Sequence, residues 1–144
     1  MKNYLILFCG LVFIGITNRV CAQKLKETDV PANVKEALMK KYPQAKNVTW
    51  EKENGNYEAN WGGKSGEANS VQYTPSGNFV EIENEIPVSS LPKAVTDYVK
   101  EHYKGAKITE AGKVTDAQGK KFFEAEVNHK DLVFDEKGNF VKSE

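Results

Sequence analysis

Two histidines, His102 and His129, are the only imidazoles in the 144-residue sequence. Either could act as a general base or a metal ligand if a partner stood at a suitable spacing, such as His-x-x-x-His on a helix. Neither has one. His102 falls on the apolar side of a helical pattern, and His129 sits between Asn128 and Lys130 beside a turn. Asp135-Glu136-Lys137-Gly138-Asn139 has the density of oxygen ligands of a calcium loop, but Lys137 stands at a ligand position and the closing Glu is missing, so it reads as a hairpin turn. There is no Gly-x-Ser-x-Gly and no phosphate loop. Glu58 and Glu124 occupy equivalent places in two similar stretches, a carboxylate pair that solvated strand positions explain more simply. No catalytic residue, metal ligand or cofactor is expected. The competing reading is a small hydrolase using Glu58 or His129, which would need a concave pocket of clustered titratable groups.

The elements that would position any of these groups begin after residue 22. Lys2, the apolar run Tyr4–Ile16, and Val20-Cys21-Ala22 have the layout of a secretory signal peptide cut after Ala22. The run is shorter than the ~20 residues a membrane-spanning helix needs. A lipoprotein anchored through Cys21 is the minority alternative, disfavoured because Asn18, Arg19 and Val20 precede it where a lipobox prefers Leu at the third position back and a small residue just before Cys. Both cysteines, Cys9 and Cys21, lie in this segment, so the processed chain is expected to enter the periplasm, or be secreted, without a disulfide or a thiolate metal site. Lys2 and Arg19 leave with it, turning a balance of 20 basic and 20 acidic residues into a small acidic excess. No basic surplus remains to neutralise phosphates, which argues against a nucleic-acid partner. No second apolar run is long enough to span a membrane.

The rest of the chain repeats itself. Val30-Pro31, Val34, Tyr42 and Ala45-Lys46 recur as Leu91-Pro92, Val95, Tyr103 and Ala106-Lys107, and Gly77-Asn78-Phe79-Val80 recurs as Gly138-Asn139-Phe140-Val141. Each copy opens with a helix. Pro31 starts the first, Val34, Ala37, Leu38 and Tyr42 mark its face, and Pro43 stops it. Pro92 starts the second, with Val95, Tyr98, Val99 and His102 on one face, and Gly105 ends it. Alternating strands follow, with turns at Asn54-Gly55, Pro75-Ser76-Gly77, Asp116–Gly119 and Glu136-Lys137-Gly138. The expectation is an α+β fold: a tandem duplication of a helix plus a four-stranded antiparallel meander in two layers, over 23–86 and 87–144 after a 1–22 signal, the copies forming one compact unit.

Strand parity then sorts the faces. If Trp50, Tyr57, Trp61, Tyr73, Val80 and Ile82 face the helices, simple alternation turns Phe79 and Phe140 the other way, with Phe122 and Val133. Glu58, Asn60, Gln72, Glu81, Glu124 and Glu126 share that open face. An acidic surface carrying phenylalanines is a plausible docking surface. The candidate binding residues are Phe79, Phe140 and Phe122, with Trp61 and Trp50 as further aromatic anchors. The competing view has these rings cover one another or seal the contact between copies.

The pattern Val30-Pro31…Val34…Tyr42-Pro43-x-Ala45, with Trp50, Tyr57-Glu58-Ala59 and the Gly77-Asn78-Phe79 turn, resembles the PepSY-like, beta-lactamase-inhibitor-like family of exported bacterial proteins of the Bacteroidetes type. The resemblance covers roughly residues 25–144 in two copies. The second departs from it, with Lys104 in place of Pro43 and Ala111 in place of Trp50, so any ligand role of Trp50 belongs to the first copy. The resemblance implies a fold of the beta-lactamase-inhibitor-protein type and a non-enzymatic periplasmic module that binds a protein or peptide, inhibition being suggested by the family's name alone. A passive structural protein of the envelope is the third reading. Partner identity and oligomeric state are not encoded in any motif.

Overall fold

The computed structural model describes residues 23–143; the expected signal peptide and the Cys21 alternative lie outside the described residues. Nine antiparallel strands form a single sheet in chain order: β1 Gln23–Leu25, β2 Thr49–Glu53, β3 Asn56–Trp61, β4 Asn69–Tyr73, β5 Phe79–Glu85, β6 Ile108–Asp116, β7 Lys121–Val127, β8 Asp131–Asp135 and β9 Phe140–Ser143. Helix α1, Ala32–Lys41, lies between β1 and β2, and α2, Lys93–His102, between β5 and β6, each preceded by a 3-10 turn. The mixed α+β class expected from the repeat holds. The strands after each helix, β2–β5 and β6–β9, are joined into one sheet, because β5 pairs with β4 on one side and β6 on the other. β1, which the sequence pattern did not reveal, adds a ninth strand against β2.

Proline and glycine punctuate the helices as their chemistry requires. The Pro31 carbonyl accepts hydrogen bonds from the backbone N–H of Val34 and Lys35 at 3.1 and 3.2 Å, opening α1 where proline's missing donor costs nothing. Gly77 and Gly138 both adopt positive φ in β-hairpin turns. A Cβ at Gly77 would lie 3.1 Å from the Asn33 carbonyl oxygen, and one at Gly138 2.8 Å from the Ala94 Cβ, so each turn packs against the start of its helix.

Both helices cover the same sheet face, in two cores. Val34 and Leu38 of α1 pack on Trp50, Ala59, Trp61, Val71 and Tyr73; Val95 and Val99 of α2 pack on Ala111, Ala125, Leu132 and Phe134. The Tyr73 hydroxyl is buried in the first core with no hydrogen-bond partner among the described residues. An unsatisfied buried hydroxyl costs about 1–3 kcal/mol. Tyr73→Phe is therefore expected to raise stability by about 1 kcal/mol, seen as a few degrees in thermal melting; a loss of that size would show that the hydroxyl is bonded after all.

The parity assigned to Phe79 and Phe140 is corrected. Gln72 pairs with Glu81 but Tyr73 pairs with Phe79, which leaves Val80 as an extra residue in β5. Val133 pairs with Lys142 but Phe134 with Phe140, and Val141 is the extra residue in β9. Such a bulge resets the alternation. Phe79 therefore turns toward the helix side, its ring edge-on to Tyr73 at 6.2 Å and under the Lys41 ammonium at 3.1 Å. Phe140 stacks on Tyr98 of α2 at 4.8 Å.

Candidate functional site

Among the described residues no helix covers the opposite face of the sheet, and there the side chains of β2 to β7 and of Asp131 line a groove of about 320 Å3. Its walls carry nine carboxylates and no lysine or arginine. They arise from plain alternation. Glu51 on β2 stands opposite Glu58 on β3, and Ser70 on β4 opposite Glu83 on β5. Glu85 pairs with Gly112 on β6, which in turn pairs with Glu124 on β7. Like charges facing each other across strands destabilise a sheet, so the rest of the fold must hold this face together. A second lobe of about 140 Å3 extends along the same strands to Gln72, Glu81 and Val114.

Glu83 is common to both lobes. Gly112 makes room for it, since a Cβ there would overlap the Glu83 carboxylate. Burial pushes the Glu83 carboxyl up to about 7, helped by the negative charges of Asp131, Glu58, Glu81 and Glu110. Burial also raises Glu51, with Glu58 adding to it and Lys24 opposing. Glu110 is raised by burial and by Glu126, Glu67, Glu85 and Asp131. Glu58 accepts a 2.5 Å hydrogen bond from the Ser70 hydroxyl, and Glu126 a 2.6 Å bond from Thr109. Asn60 sits at the floor, 6 % exposed, between the core residues Ala59 and Trp61.

The aromatic residues expected to bind fall elsewhere. Trp50 and Trp61 are buried under α1, Trp61 lying 5.4 Å from the Tyr42 ring. Phe79 and Phe140 are on the helix side. Phe122 does lie on the open face, paired with Val114 and Asp135, with the Lys120 ammonium 4.7 Å from its ring. Glu58, Asn60, Gln72, Glu81, Glu124 and Glu126, expected on that face from parity, line the groove or its second lobe. Glu83 and Glu85 were missed, although the Glu81-x-Glu83-x-Glu85 alternation would have placed them there.

The remaining candidates for chemistry stay apart. His129 is on the exposed β7–β8 turn, 4.0 Å from Glu126, whereas Glu58 on β3 is held by Ser70 of β4. His102 is exposed at the end of α2, stacked on Tyr98 at 4.0 Å. Asp135 closes its turn by accepting from the backbone N–H of Lys137 and Asn139, each at 2.9 Å, and hydrogen bonds, foremost from the Asn139 side chain, lower its carboxyl below the usual range. That segment is a hydrogen-bonded turn. No group of three or more His, Cys, Asp or Glu among the described residues converges to hold a metal ion. No described helix is long and apolar enough to cross a membrane.

Several solved structures share the fold. A structure described as "putative periplasmic proteins" from Bacteroides eggerthii DSM 20697 superposes with a TM-score of 0.65 at 19 % identity, over 80 % of this chain and 88 % of that one. A DUF2874 family protein from Bacteroides uniformis ATCC 8492 gives 0.64 at 21 % identity, over 79 % and 88 %. A BLIP-like protein from Bacteroides fragilis NCTC 9343 gives 0.58 at 23 % identity, over 79 % and 84 %. No curated protein matches the chain. The profile of one family, "Putative beta-lactamase-inhibitor-like, PepSY-like", matches residues 18–62 and again 61–142, and the chain belongs to that family.

Proposed function

We propose that this protein is an exported, non-enzymatic binding module of the periplasm that holds a protein or peptide partner against the helix-free face of its sheet, inhibitory where that partner is an enzyme. The observation that carries this reading is the groove itself: a broad sheet face lined by nine carboxylates, whose mutual repulsion gives the isolated fold no benefit. The periplasmic names of the structural neighbours and the signal-like segment before Gln23 support the location. The two segments of family match, with α1 and α2 each preceded by a 3-10 turn and followed by four strands, support descent from one duplicated unit.

Envelope extract passed over immobilised protein tests the reading. A partner retained by the natural protein and by a Met39→Ala variant, whose change is on exposed helix α1, should be lost with Glu58→Lys/Glu124→Lys. Equal retention by the groove variant would move binding off this face.

A further inference from the structure

Resting on the export reading, in which processing after Ala22 leaves Gln23 as the first residue, we propose that Gln23 is a modification site. Its side chain closes on its own α-amine, and the resulting pyroglutamyl lactam seals the free end of β1. A terminal glutamine carries its own electrophile, because its carboxamide carbon and its amine nitrogen can join in a five-membered ring. The nitrogen attacks Cδ; the N–Cδ bond forms as the Cδ–Nε2 bond breaks. The side-chain nitrogen leaves as ammonia, taking the proton that the amine gives up. Nothing is oxidised or reduced and no co-reactant is consumed. Ring closure removes the positive charge of the terminus.

The fold suits that ring at this position. β1 is the outer strand of the sheet, and its register sets Gln23 opposite Lys52, Lys24 opposite Glu51 and Leu25 opposite Trp50. Leu25 packs against the first core and anchors the strand, while Gln23 and Lys24 are exposed. The reacting groups of Gln23 therefore lie at the surface. An open terminus would hold an α-ammonium across from Lys52, whose own ammonium is 4.9 Å over the Tyr57 ring. Like charges at facing positions weaken a strand pair, and the neutral lactam removes one of them. A ring of the proline type is tolerated in a sheet at an edge and at the first residue of a strand, and Gln23 is both. The repeat supplies a contrast. Gln23 pairs with Lys52 in the first copy as Asn84 pairs with Lys113 in the second. Asn84 lies within the seven residues of β5, paired on both sides, whereas in the processed chain Gln23 is a loose end. Without a free amine that end gives an aminopeptidase nothing to grip, so β1 keeps its place beside Trp50.

Intact-mass analysis of the protein exported by its own cells, measured at once and again after storage at neutral pH, reads the modification. The expected result at once is a chain beginning at residue 23 and lighter by one ammonia than the open form. It should resist stepwise sequencing from the amine until a pyroglutamyl peptidase removes the first residue and exposes Lys24. Gln23→Asn, one carbon too short to close the ring, should keep its open amine. Under a broad aminopeptidase the natural protein should keep β1, whereas Gln23→Asn should lose it. With Leu25 gone, the tryptophan emission of the variant should shift to the red as Trp50, now 5 % exposed, gains water. An open amine in fresh protein, closing only in storage, would overturn the modification, and equal trimming or equal resistance of the two chains would overturn its sealing role. A chain that keeps residues 1–22, is acylated at Cys21 or is cut at another bond would overturn the cut after Ala22 and the lactam with it. A chain beginning at an open Gln23 would remove the lactam alone and leave export standing.

Discussion

Phe134→Ala is expected to lower the stability of the protein by about 3–5 kcal/mol, the range for a buried Phe truncated to Ala. Phe134 is fully buried in the second core, paired with Phe123 across the sheet and edge-on to Tyr98 at 5.4 Å and to Phe140 at 5.8 Å. Removing it leaves a cavity among β-strand side chains that cannot collapse without breaking the sheet register. Phe140→Ala should cost far less, about 1 kcal/mol, because its ring is partly exposed and contributes mainly its stack on Tyr98. Denaturant unfolding followed by fluorescence has a useful property here. Both tryptophans, Trp50 and Trp61, sit in the first core, remote from the substitution. If β5 couples the halves into one cooperative unit, the tryptophan midpoint moves with the circular-dichroism midpoint in Phe134→Ala. A tryptophan transition left at its original midpoint would mean that the halves unfold separately.

Glu83→Gln should stabilise the protein at alkaline pH and leave it unchanged in acid. Burial among carboxylates raises the Glu83 carboxyl from its ordinary 4.5 to about 7 in the folded state, so the folded protein holds this proton more tightly than the unfolded chain does. Below pH 4.5 the group is protonated in both states and contributes no difference. As pH climbs from 4.5 through 7 the unfolded chain ionises first and the wild type loses stability; above about 8 the loss is complete. At roughly 1.4 kcal/mol per pH unit the loss reaches about 3 kcal/mol. Glutamine, neutral throughout, escapes it. Chemical denaturation at pH 4, 6 and 9 should show the variant and the wild type diverging with pH. A constant difference between them would remove Glu83 as the source of strain on the open face.

Much of this architecture is legible in the residue pattern, for reasons that also explain the failures. Pro31, Pro92, Pro43 and Gly105 bound the helices because proline lacks a donor and glycine tolerates the left-handed region, so local chemistry decides. Asn54-Gly55 makes its hairpin for the same reason, both residues adopting positive φ. Strand alternation succeeds for Glu58, Asn60 and Glu124, where each strand runs without interruption. It fails at Phe79 and Phe140, each next to a bulge that inserts one residue, Val80 or Val141, and no residue type announces a bulge there. β6 slips in the same way between Ile108 and Ala111, which hides the placement of Glu110. β1 is invisible because three residues carry too short a pattern to detect. Gly112 is the most instructive miss. Its place mid-strand reads as weakness until the Glu83 carboxyl is seen lying over it.

Residues 81–84 are paired on both sides, to β4 and to β6, and the acidic groove straddles them. That shared strand denies the molecule a hinge. Two domains joined by a linker can close on a ligand like jaws, whereas here any swing of one half against the other would have to tear a hydrogen-bonded ladder. Under the proposed binding role, the groove would meet its partner at fixed curvature, with side-chain rotamers left to adapt. On that role, capture should be fast, reversible and governed by the chemistry of the visiting segment, which must do the folding that the sheet cannot.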